Sequence, residues 1–493
     1  MVVKGNMRVC LINPPRIQPK SWGKPHVFQP YDIAYVAAVL EKQHKVCIID
    51  SPTEGQKNLK QIDETRYQMG LTSKELADRI KHWSPDVVGI TIPFSGWSKP
   101  AFEVASTVKS VDKDIPTVMD GQHPSIRPSD CLKDPNLDFV VIGEREYTMS
   151  ELVETLEQGT RDFSQIKGIA FKKNGETVVT PPRPLIQDLD SLPFPARHLL
   201  PMQAYFDAVK NNPLRGVIHK PWVAMITSRG CPYDCVFCSM HIVMGKQWRA
   251  RSAENVVDEI EQLVETYNIQ QVDFWDDNMM LDKKRGEAIC DLIIERGIDI
   301  EWYTPNGVRA DTLDERLLKK MAASGCKKIR IAPESGVQRV VDQIIRKKQD
   351  LNAVENAIVL SRKYGIKVGC FFVMGLVGET KEDMEQTIKY AYKLKQLGAE
   401  IFHFCIATPL YGTRLYEQAK SGGFLCGEIN DEALSMAKPL IETPEFTADD
   451  LRELCRRANL VNQDFTRDKL LTAIRHPREA VLFMFRKLNI MKN

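Results

Sequence analysis

The sequence has no excess of charge, no long apolar run and no dense set of cysteines. Its 493 residues carry 67 Lys and Arg against 65 Asp and Glu, a net charge of +2, which gives no support for a nucleic-acid-coating protein. The longest apolar stretch, residues 371–377, is far shorter than the about 18 residues of a membrane span. The first residues lack the apolar core of a signal peptide. We therefore expect a cytoplasmic protein with no transmembrane segment and no nucleic-acid partner.

The twelve cysteines are too few for a disulfide scaffold. Nine are scattered singly, but Cys231, Cys235 and Cys238 lie within eight residues of one another. In a reducing compartment, such a cluster is typical of a metal or cofactor site rather than of disulfides. This cluster is the most informative feature of the sequence.

Hydrophobic patterning predicts an α/β protein with four regions. Five strand–helix repeats in residues 1–160 predict a doubly wound, Rossmann-like parallel sheet that binds its ligand at the carboxyl ends of its strands. A hairpin with an Asn-Gly turn and a proline-rich stretch predict a connector over 161–217. Six βα units over 218–421 predict an incomplete TIM-type (β/α)6 barrel. Residues 422–493 are predicted to be mostly helical.

The end of the chain is basic and amphipathic. Residues 467–493 hold seven Lys or Arg against two acidic residues, with Leu and Phe interleaved. This pattern is compatible with a helix that lies on a membrane surface or binds a partner. A terminal helix docked on the protein by its apolar face is the interpretation we favour.

The segment from Ser228 through Cys231 and Cys235 to Cys238 lies directly after the first predicted barrel strand. Three thiolates on one short loop can hold three irons of a cubane cluster and leave the fourth iron open. An open iron is a coordination site for a substrate or cofactor. The alternative is a structural zinc with His241 as fourth ligand, but such sites usually pair two C-x-x-C motifs and the chain has no second one.

The C-x-x-x-C-x-x-C spacing, with the aromatic Phe237 before the last cysteine, resembles the radical SAM superfamily. The resemblance implies a [4Fe-4S] cluster on Cys231, Cys235 and Cys238, whose open iron chelates the amino and carboxylate groups of S-adenosylmethionine (SAM). An electron from the cluster then cleaves the SAM sulfonium to give a 5′-deoxyadenosyl radical. Clusters of this type reach low potentials, so an external low-potential electron donor is implied as a partner.

Three segments past later barrel strands resemble the SAM-binding segments of that superfamily. The resemblance places the first near the SAM amino end, the second near the ribose and methionine, and the third near the adenine. Acidic residues and glycines also end barrel strands for reasons of turn chemistry alone. The candidate SAM-binding residues are Asp276, Asp277 and Asn278 past strand two, Glu334 and Ser335 past strand four, and Gly375 and Gly378 past strand five.

The N-terminal region resembles the cobalamin-binding domain of cobalamin-dependent radical SAM enzymes, and the resemblance extends over roughly residues 7–420. The Asp-x-His-x-x-Gly signature of other corrinoid domains is absent, so cobalt ligation by His123 and an ordinary loop histidine both stay open. Phe94 and Trp97 either pack beneath the corrin or belong to the core. The residues expected to contact cobalamin are Asn13, Pro14, Phe94, Ser95, Trp97, Gly121, His123, Ser125, Gly143 and Glu144.

Three functions are compatible with this architecture. Methylation of an unactivated carbon, with cobalamin as methyl carrier, is the commonest outcome associated with it and is our prediction. A radical cyclase, oxidase or rearrangement enzyme without methyl transfer is the first alternative, and a non-catalytic cobalamin sensor is the second. Because an unactivated C–H bond is too weakly acidic for a side-chain base, no residue is assigned as a catalytic acid or base.

A methylthiotransferase is excluded on cysteine positions. That class needs three N-terminal cysteines for a second cluster, whereas this chain offers only Cys10 and Cys47, both inside apolar strands where cysteine packs as a small hydrophobe. The substrate is expected to be a small molecule or a peptide or protein. Methylation of a peptidyl residue such as glutamine or arginine is our specific expectation.

Overall fold

Two parallel sheets organise the chain in the computed structural model, which describes residues 6–20, 23, 26–211, 220–434 and 438–463. The basic segment at 467–493, and with it the prediction of a docked helix, lies outside the described residues. Among the described residues, no helix combines the length and the hydropathy needed to cross a membrane.

The N-terminal sheet forms from the apolar runs that the sequence predicts. Five strands pair in parallel in the order β3-β1-β6-β7-β8, with helices on both faces, as in doubly wound sheets. In chain order the elements are β1 (Arg8–Asn13), β2 (Arg16–Pro19), α1 (Tyr31–Leu40), β3 (Lys45–Asp50), α2 (Ser51–Glu54), β4 (Leu59–Gln61), β5 (Arg66–Met69), α3 (Ser73–Trp83), β6 (Val87–Thr91), α4 (Ser98–Val111), β7 (Thr117–Asp120), α5 (Gln122–Ile126), α6 (Pro128–Cys131), β8 (Phe139–Val141) and α7 (Glu146–Glu157).

The predicted hairpin is present and extends this sheet. Its strands, β9 (Ile169–Lys173) and β10 (Glu176–Val179), add antiparallel to β8, and its turn residues Asn174 and Gly175 both have positive φ, as a type I′ turn requires. A second antiparallel sheet, β2-β5-β4, was not predicted. The domain boundaries as such stay predictions.

The second of the two parallel sheets, in the C-terminal part of the chain, is a six-stranded open barrel. Its strands pair in parallel in chain order, β11-β14-β15-β16-β17-β18, and no pairing closes β18 onto β11 among the described residues. The elements are α8 (Met202–Asn211), β11 (Trp222–Met225), β12 (Ser228–Arg229), α9 (Met240–Met244), β13 (Arg249–Ala250), α10 (Ala253–Tyr267), β14 (Gln271–Phe274), α11 (Lys283–Glu295), β15 (Glu301–Val308), α12 (Glu315–Ala323), β16 (Cys326–Glu334), α13 (Leu351–Lys363), β17 (Lys367–Met374), α14 (Lys381–Leu397), β18 (Ile401–Ile406), α15 (Arg414–Ser421) and α16 (Ala448–Ala458).

One of the hydrophobic clusters spans both sheets. Tyr205 and Phe206 of α8 are buried in a cluster that contains residues of both the N-terminal sheet and the barrel. Glu259 on α10 is buried between the guanidinium groups of Arg197 and Arg251, so the connector is tied to the barrel by charge as well as by packing. The carboxyl ends of strands from both sheets therefore meet at one fixed junction.

Candidate cofactor sites and the junction cavity

The cysteine loop, residues 230–238, leaves the barrel immediately after β12. Gly230 has φ +80°, and a Cβ there would lie 2.3 Å from the carbonyl oxygen of Gln247, so only glycine fits. Within the loop, the Val236 N–H donates to the carbonyl of Ile345 at 3.0 Å, and its carbonyl accepts from the Leu415 N–H at 2.9 Å. Backbone contacts to two other parts of the barrel thus fix the loop.

The three cysteines of this loop are free and half-buried. Burial raises the pKa of all three thiols, that of Cys235 to about 11 and that of Cys238 to about 12. The charge of Lys347 opposes this rise in pKa at Cys231 and Cys235 without reversing it. Among the described residues, no three His, Cys, Asp or Glu side chains converge as a single metal ion requires. The argument against a structural zinc with His241 remains the lack of a second C-x-x-C motif in the sequence.

The segment past β14 carries two carboxylates. That of Asp276 is hydrogen-bonded to the residues before the cysteines, and that of Asp277 accepts no hydrogen bond from the described residues. Asp276 Oδ1 accepts from the Thr227 hydroxyl at 2.7 Å and from the Ser228 hydroxyl at 2.5 Å, so it secures the residues that precede the cysteines. Asp277 has no hydrogen-bond donor among the described residues, and burial, with the charge of Asp276, raises its pKa to about 6. The buried Asn278 Oδ1 also lacks a partner.

The Glu334–Ser335 turn past β16 is strained and firmly held. Glu334 has φ +67°, a conformation uncommon outside glycine and frequent at functional sites, and its carboxylate pairs with Lys347 Nζ at 2.8 Å. The Ser335 hydroxyl lies 3.0 Å from the Thr387 hydroxyl. Both residues are buried.

In the glycine segment past β17, the carboxylate of Glu379 accepts hydrogen bonds from the backbone of the same segment. Glu379 Oε2 accepts from the N–H groups of Gly375 at 2.8 Å and Leu376 at 3.0 Å. Gly375 has φ +89° and Gly378 has φ +90°, so both adopt a conformation that side chains rarely take. The other Glu379 oxygen is buried without a partner, which leaves an acceptor for a ligand. Phe237 packs beside this segment, in the cluster that also contains Leu376.

A cavity of about 420 Å³ lies where the carboxyl ends of both sheets meet, and we call it the junction cavity. Strand ends of the N-terminal sheet form one wall, and Trp275 and Asn306 of the barrel form another. Ser228, just before the cysteine loop, and Met240, just after it, also line the cavity. Seven predicted site residues line it: Asn13, Pro14, Phe94, Trp97, Gly143, Glu144 and Asp277.

Four predicted cobalamin contacts lie beside the cavity rather than in its lining. His123 is buried, and its nitrogens contact the Ser95 hydroxyl at 2.9 Å and Asp431 at 3.5 Å. The Ser125 hydroxyl donates to the carbonyl of Gly121 at 2.6 Å and accepts from the Gly143 N–H. These contacts shape the loop, and cobalt ligation by His123 stays a prediction.

Several cavity residues were missed by the sequence analysis because their partners are distant in the chain. Arg145 pairs with Asp120 at 2.7 Å and Asp32 at 3.1 Å. Arg229 of the barrel donates to Glu144 at 2.9 Å and to Glu146 at 2.5 Å on the N-terminal domain. Arg145 lies in the acidic and basic run 144–146 after the fifth strand, whereas Arg229 stands just before the cysteines, and neither position indicates its partners.

The comparisons with known proteins agree with this geometry. The B12-binding domain profile matches residues 25–153, and the radical SAM superfamily profile matches residues 225–391. An uncharacterized methyltransferase of Pyrococcus horikoshii is 35% identical over 434 residues, 87% of this chain and 86% of that protein. The chain belongs to the cobalamin-dependent radical SAM methyltransferases.

Two further members of this family extend the likeness. The cytidylyl-2-hydroxyethylphosphonate methyltransferase of Streptomyces wedmorensis is 31% identical over 480 residues, 91% of this chain and 88% of that protein. The radical SAM methyltransferase TsrM of Kitasatospora setae, solved with cobalamin and a [4Fe-4S] cluster, shares the fold with a TM-score of 0.68 at 18% identity, over 86% of this chain and 80% of its own.

As a member of the family, the enzyme uses a [4Fe-4S] cluster, SAM and cobalamin. The residues present fit all three groups. Three free thiols on one loop suit the cluster, and Asn278 and Glu379 each have a buried oxygen without a partner among the described residues that would suit the donors of SAM. The flat apolar surfaces of Pro14, Phe94 and Trp97 suit a macrocycle at the strand ends. The individual site residues stay predictions.

Proposed function

We propose that this methyltransferase methylates an unactivated carbon of a substrate whose reacting end enters the junction cavity. The observation that carries the proposal is the position of that cavity, which is lined by strand ends of both domains and reaches both flanks of the cysteine loop. A carbon placed there lies between the radical-generating side and the methyl-carrying side of the enzyme.

When bound, the cluster and SAM supply a hydrogen-abstracting radical, and cobalamin supplies the methyl group. The chain's own residues then have to position the substrate and exclude water. Phe28, Tyr31, Trp97 and Trp275 give the cavity apolar walls, while the carboxylates of Glu144 and Glu146 are neutralised by arginines. No general base is needed at the carbon, because the C–H bond is not broken as an acid.

The substrate itself stays a proposal. The relative from Streptomyces wedmorensis is named for a cytidylyl phosphonate. This likeness supports a small organic substrate over the peptidyl glutamine or arginine that the sequence analysis expected. An external low-potential electron donor and a reducing, cytoplasmic location complete the proposal, and the twelve free cysteines support the latter.

The test is the product ratio of the reconstituted enzyme. With a substrate identified by mass spectrometry of cells lacking the protein, 5′-deoxyadenosine and S-adenosylhomocysteine should form in about equal amounts, each matching methylated product, because one SAM provides the radical and another the methyl group. Deuterium at the reacting carbon should appear in the deoxyadenosine. Cys231→Ala should lose iron and both products.

Two results would contradict the proposal. Deoxyadenosine without S-adenosylhomocysteine would indicate the cyclase or oxidase alternative. S-adenosylhomocysteine without deoxyadenosine would indicate methylation of a nucleophilic atom that needs no hydrogen abstraction.

A further inference from the structure

Arg16 is an arginine of the junction cavity that has a structural role in neither sheet. It follows the Asn13–Pro14 segment at the end of β1, begins the short strand β2, and lines the cavity. Its guanidinium lies between two rings of the same cavity, with the central carbon 4.6 Å from the centroid of Phe28 and 4.6 Å from that of Trp97. Two rings therefore contact this guanidinium and attract its charge.

Among the described residues, few groups accept hydrogen bonds from Arg16. Nη1 donates to the carbonyl of His26 at 3.4 Å, and the buried Nε has no partner. A guanidinium offers five N–H donors, and a buried donor without an acceptor costs free energy. A ligand with several acceptor oxygens would relieve this cost.

Arg16 also has no carboxylate partner among the described residues, unlike the other arginines of the cavity. Arg145 and Arg229 each contact two carboxylates. Asp50 is close enough to raise the pKa of Arg16, but burial outweighs it and the net shift is downward, to about 10. The Asp50 carboxylate instead accepts from Asn13 at 2.6 Å and Tyr205 at 2.5 Å.

We propose that Arg16 is the anion-binding residue of the junction cavity and binds a phosphate, phosphonate or carboxylate group there. A planar guanidinium matches such anions with two parallel hydrogen bonds, and the flanking rings exclude water from it. The inference deepens the proposed function, because it assigns the substrate an anionic group. The same chemistry could be supplied by the phosphodiester of the cobalamin tail, and the experiment separates the two sources.

The experiment measures anion binding rather than turnover. Inorganic phosphate and methylphosphonate are titrated calorimetrically, at constant ionic strength, into the full chain with and without bound cobalamin. Arg16→Gln should weaken binding at least about tenfold, the equivalent of one charge-assisted hydrogen bond, and Arg16→Lys should fall between Gln and wild type because it keeps the charge without the fork. Cobalamin per chain after gel filtration is measured in parallel.

Arg8→Gln is the matched control. Arg8 begins β1, the strand whose other end precedes Arg16, and its guanidinium also lies over an indole, 4.6 Å from the Trp83 ring centroid. It does not line the cavity. Phosphate binding and cobalamin retention should therefore equal those of wild type.

Each outcome decides the assignment. If Arg16→Gln loses anion binding in the cobalamin-loaded protein and keeps its cobalamin, Arg16 binds the substrate's anion. If wild type binds phosphate only without cobalamin and Arg16→Gln loses the cofactor, the anion is the cofactor's phosphodiester. Equal phosphate affinity and equal cobalamin content in Arg16→Gln and wild type would overturn the inference. None of these readouts depends on methylation, so failure of the proposed function would be seen separately.

Discussion

Asp273 shows how one buried carboxyl can make the stability of this protein depend on pH. It lies on β14 within the barrel, and burial raises its pKa to about 7 despite the hydrogen bond from Gln271 at 2.7 Å and the charge of Lys328, which both lower it. An acid whose pKa is raised by folding contributes stability below its unfolded pKa of about 4, and this contribution is lost as the pH rises through about 7.

We expect Asp273→Asn to remove this pH dependence. The amide keeps an acceptor oxygen for Gln271 but cannot ionise, so the variant should exceed wild type in free energy of unfolding by about 2–4 kcal/mol at pH 8 and match it at pH 4. Urea unfolding at both pH values measures the difference. The control is Asp78→Asn on α3, where the carboxyl is exposed. A difference between Asp273→Asn and wild type that is the same at both pH values would contradict the argument.

Among the elements, the cysteine loop is the one whose geometry depends most on a single glycine. Ala at Gly230 would bring a methyl group to 2.3 Å from a backbone oxygen that cannot move cheaply, so the loop would have to shift. We expect Gly230→Ala to lower the iron content after reconstitution at least about fivefold, because cluster ligands must be held within about 0.5 Å.

The control for this change is Gly297→Ala. Gly297 has φ +64° and nothing within 4 Å of its added methyl group, so it shares the backbone strain of about 1 kcal/mol without the clash. Iron content in Gly297→Ala should equal that of wild type. Equal losses in the two variants would mean that general strain, and not the position of the loop, limits cluster binding.

The elements also show what could be predicted from the sequence. The strands β1, β6 and β7 were predictable because buried parallel strands are continuous apolar runs. The sheet β2-β5-β4 was not, because β4 is exposed along its whole length and has no apolar alternation. The hairpin was predicted from its turn, but its place in the N-terminal sheet depends on pairing with β8, which no local pattern records.

The same distinction holds for the candidate site. Cys231, Cys235 and Cys238 are recognisable because their spacing within one loop is itself the signal. Arg16 and Arg229 are not, since their meaning comes from rings and carboxylates that are distant in the chain. Sequence reasoning therefore found the parts of the site that lie on one loop and missed those assembled by the docking of two domains.

At the scale of the whole molecule, the docking of the two domains rests on buried charge pairs. Arg229 of the barrel reaches Glu144 and Glu146 of the N-terminal domain, and Arg249 also pairs with Glu144 at 2.8 Å. Burial pushes the pKa of Glu146 up, but the charge and hydrogen bond of Arg229 push it down further, so the net shift is downward. Glu146 therefore contributes stability above its unfolded pKa of about 4.3, which is lost in acid.

Arg229→Met should reverse this pH dependence. Without its guanidinium, Glu146 loses its ion pair and its hydrogen bond and keeps only the charge of Arg145. Its pKa should therefore rise, and the junction should lose about 3–5 kcal/mol at pH 8 but much less at pH 4, where the carboxyl is neutral. Urea unfolding followed by two probes, one in each domain, measures the loss and shows whether the domains separate first.

The double variant Arg229→Met with Glu146→Leu removes both charges and should recover most of the loss. Glu144 keeps Arg249 in either variant. If the double variant were as unstable as Arg229→Met, lost packing rather than an unpaired carboxylate would account for the effect, and the docking of the domains would not depend on this ion pair.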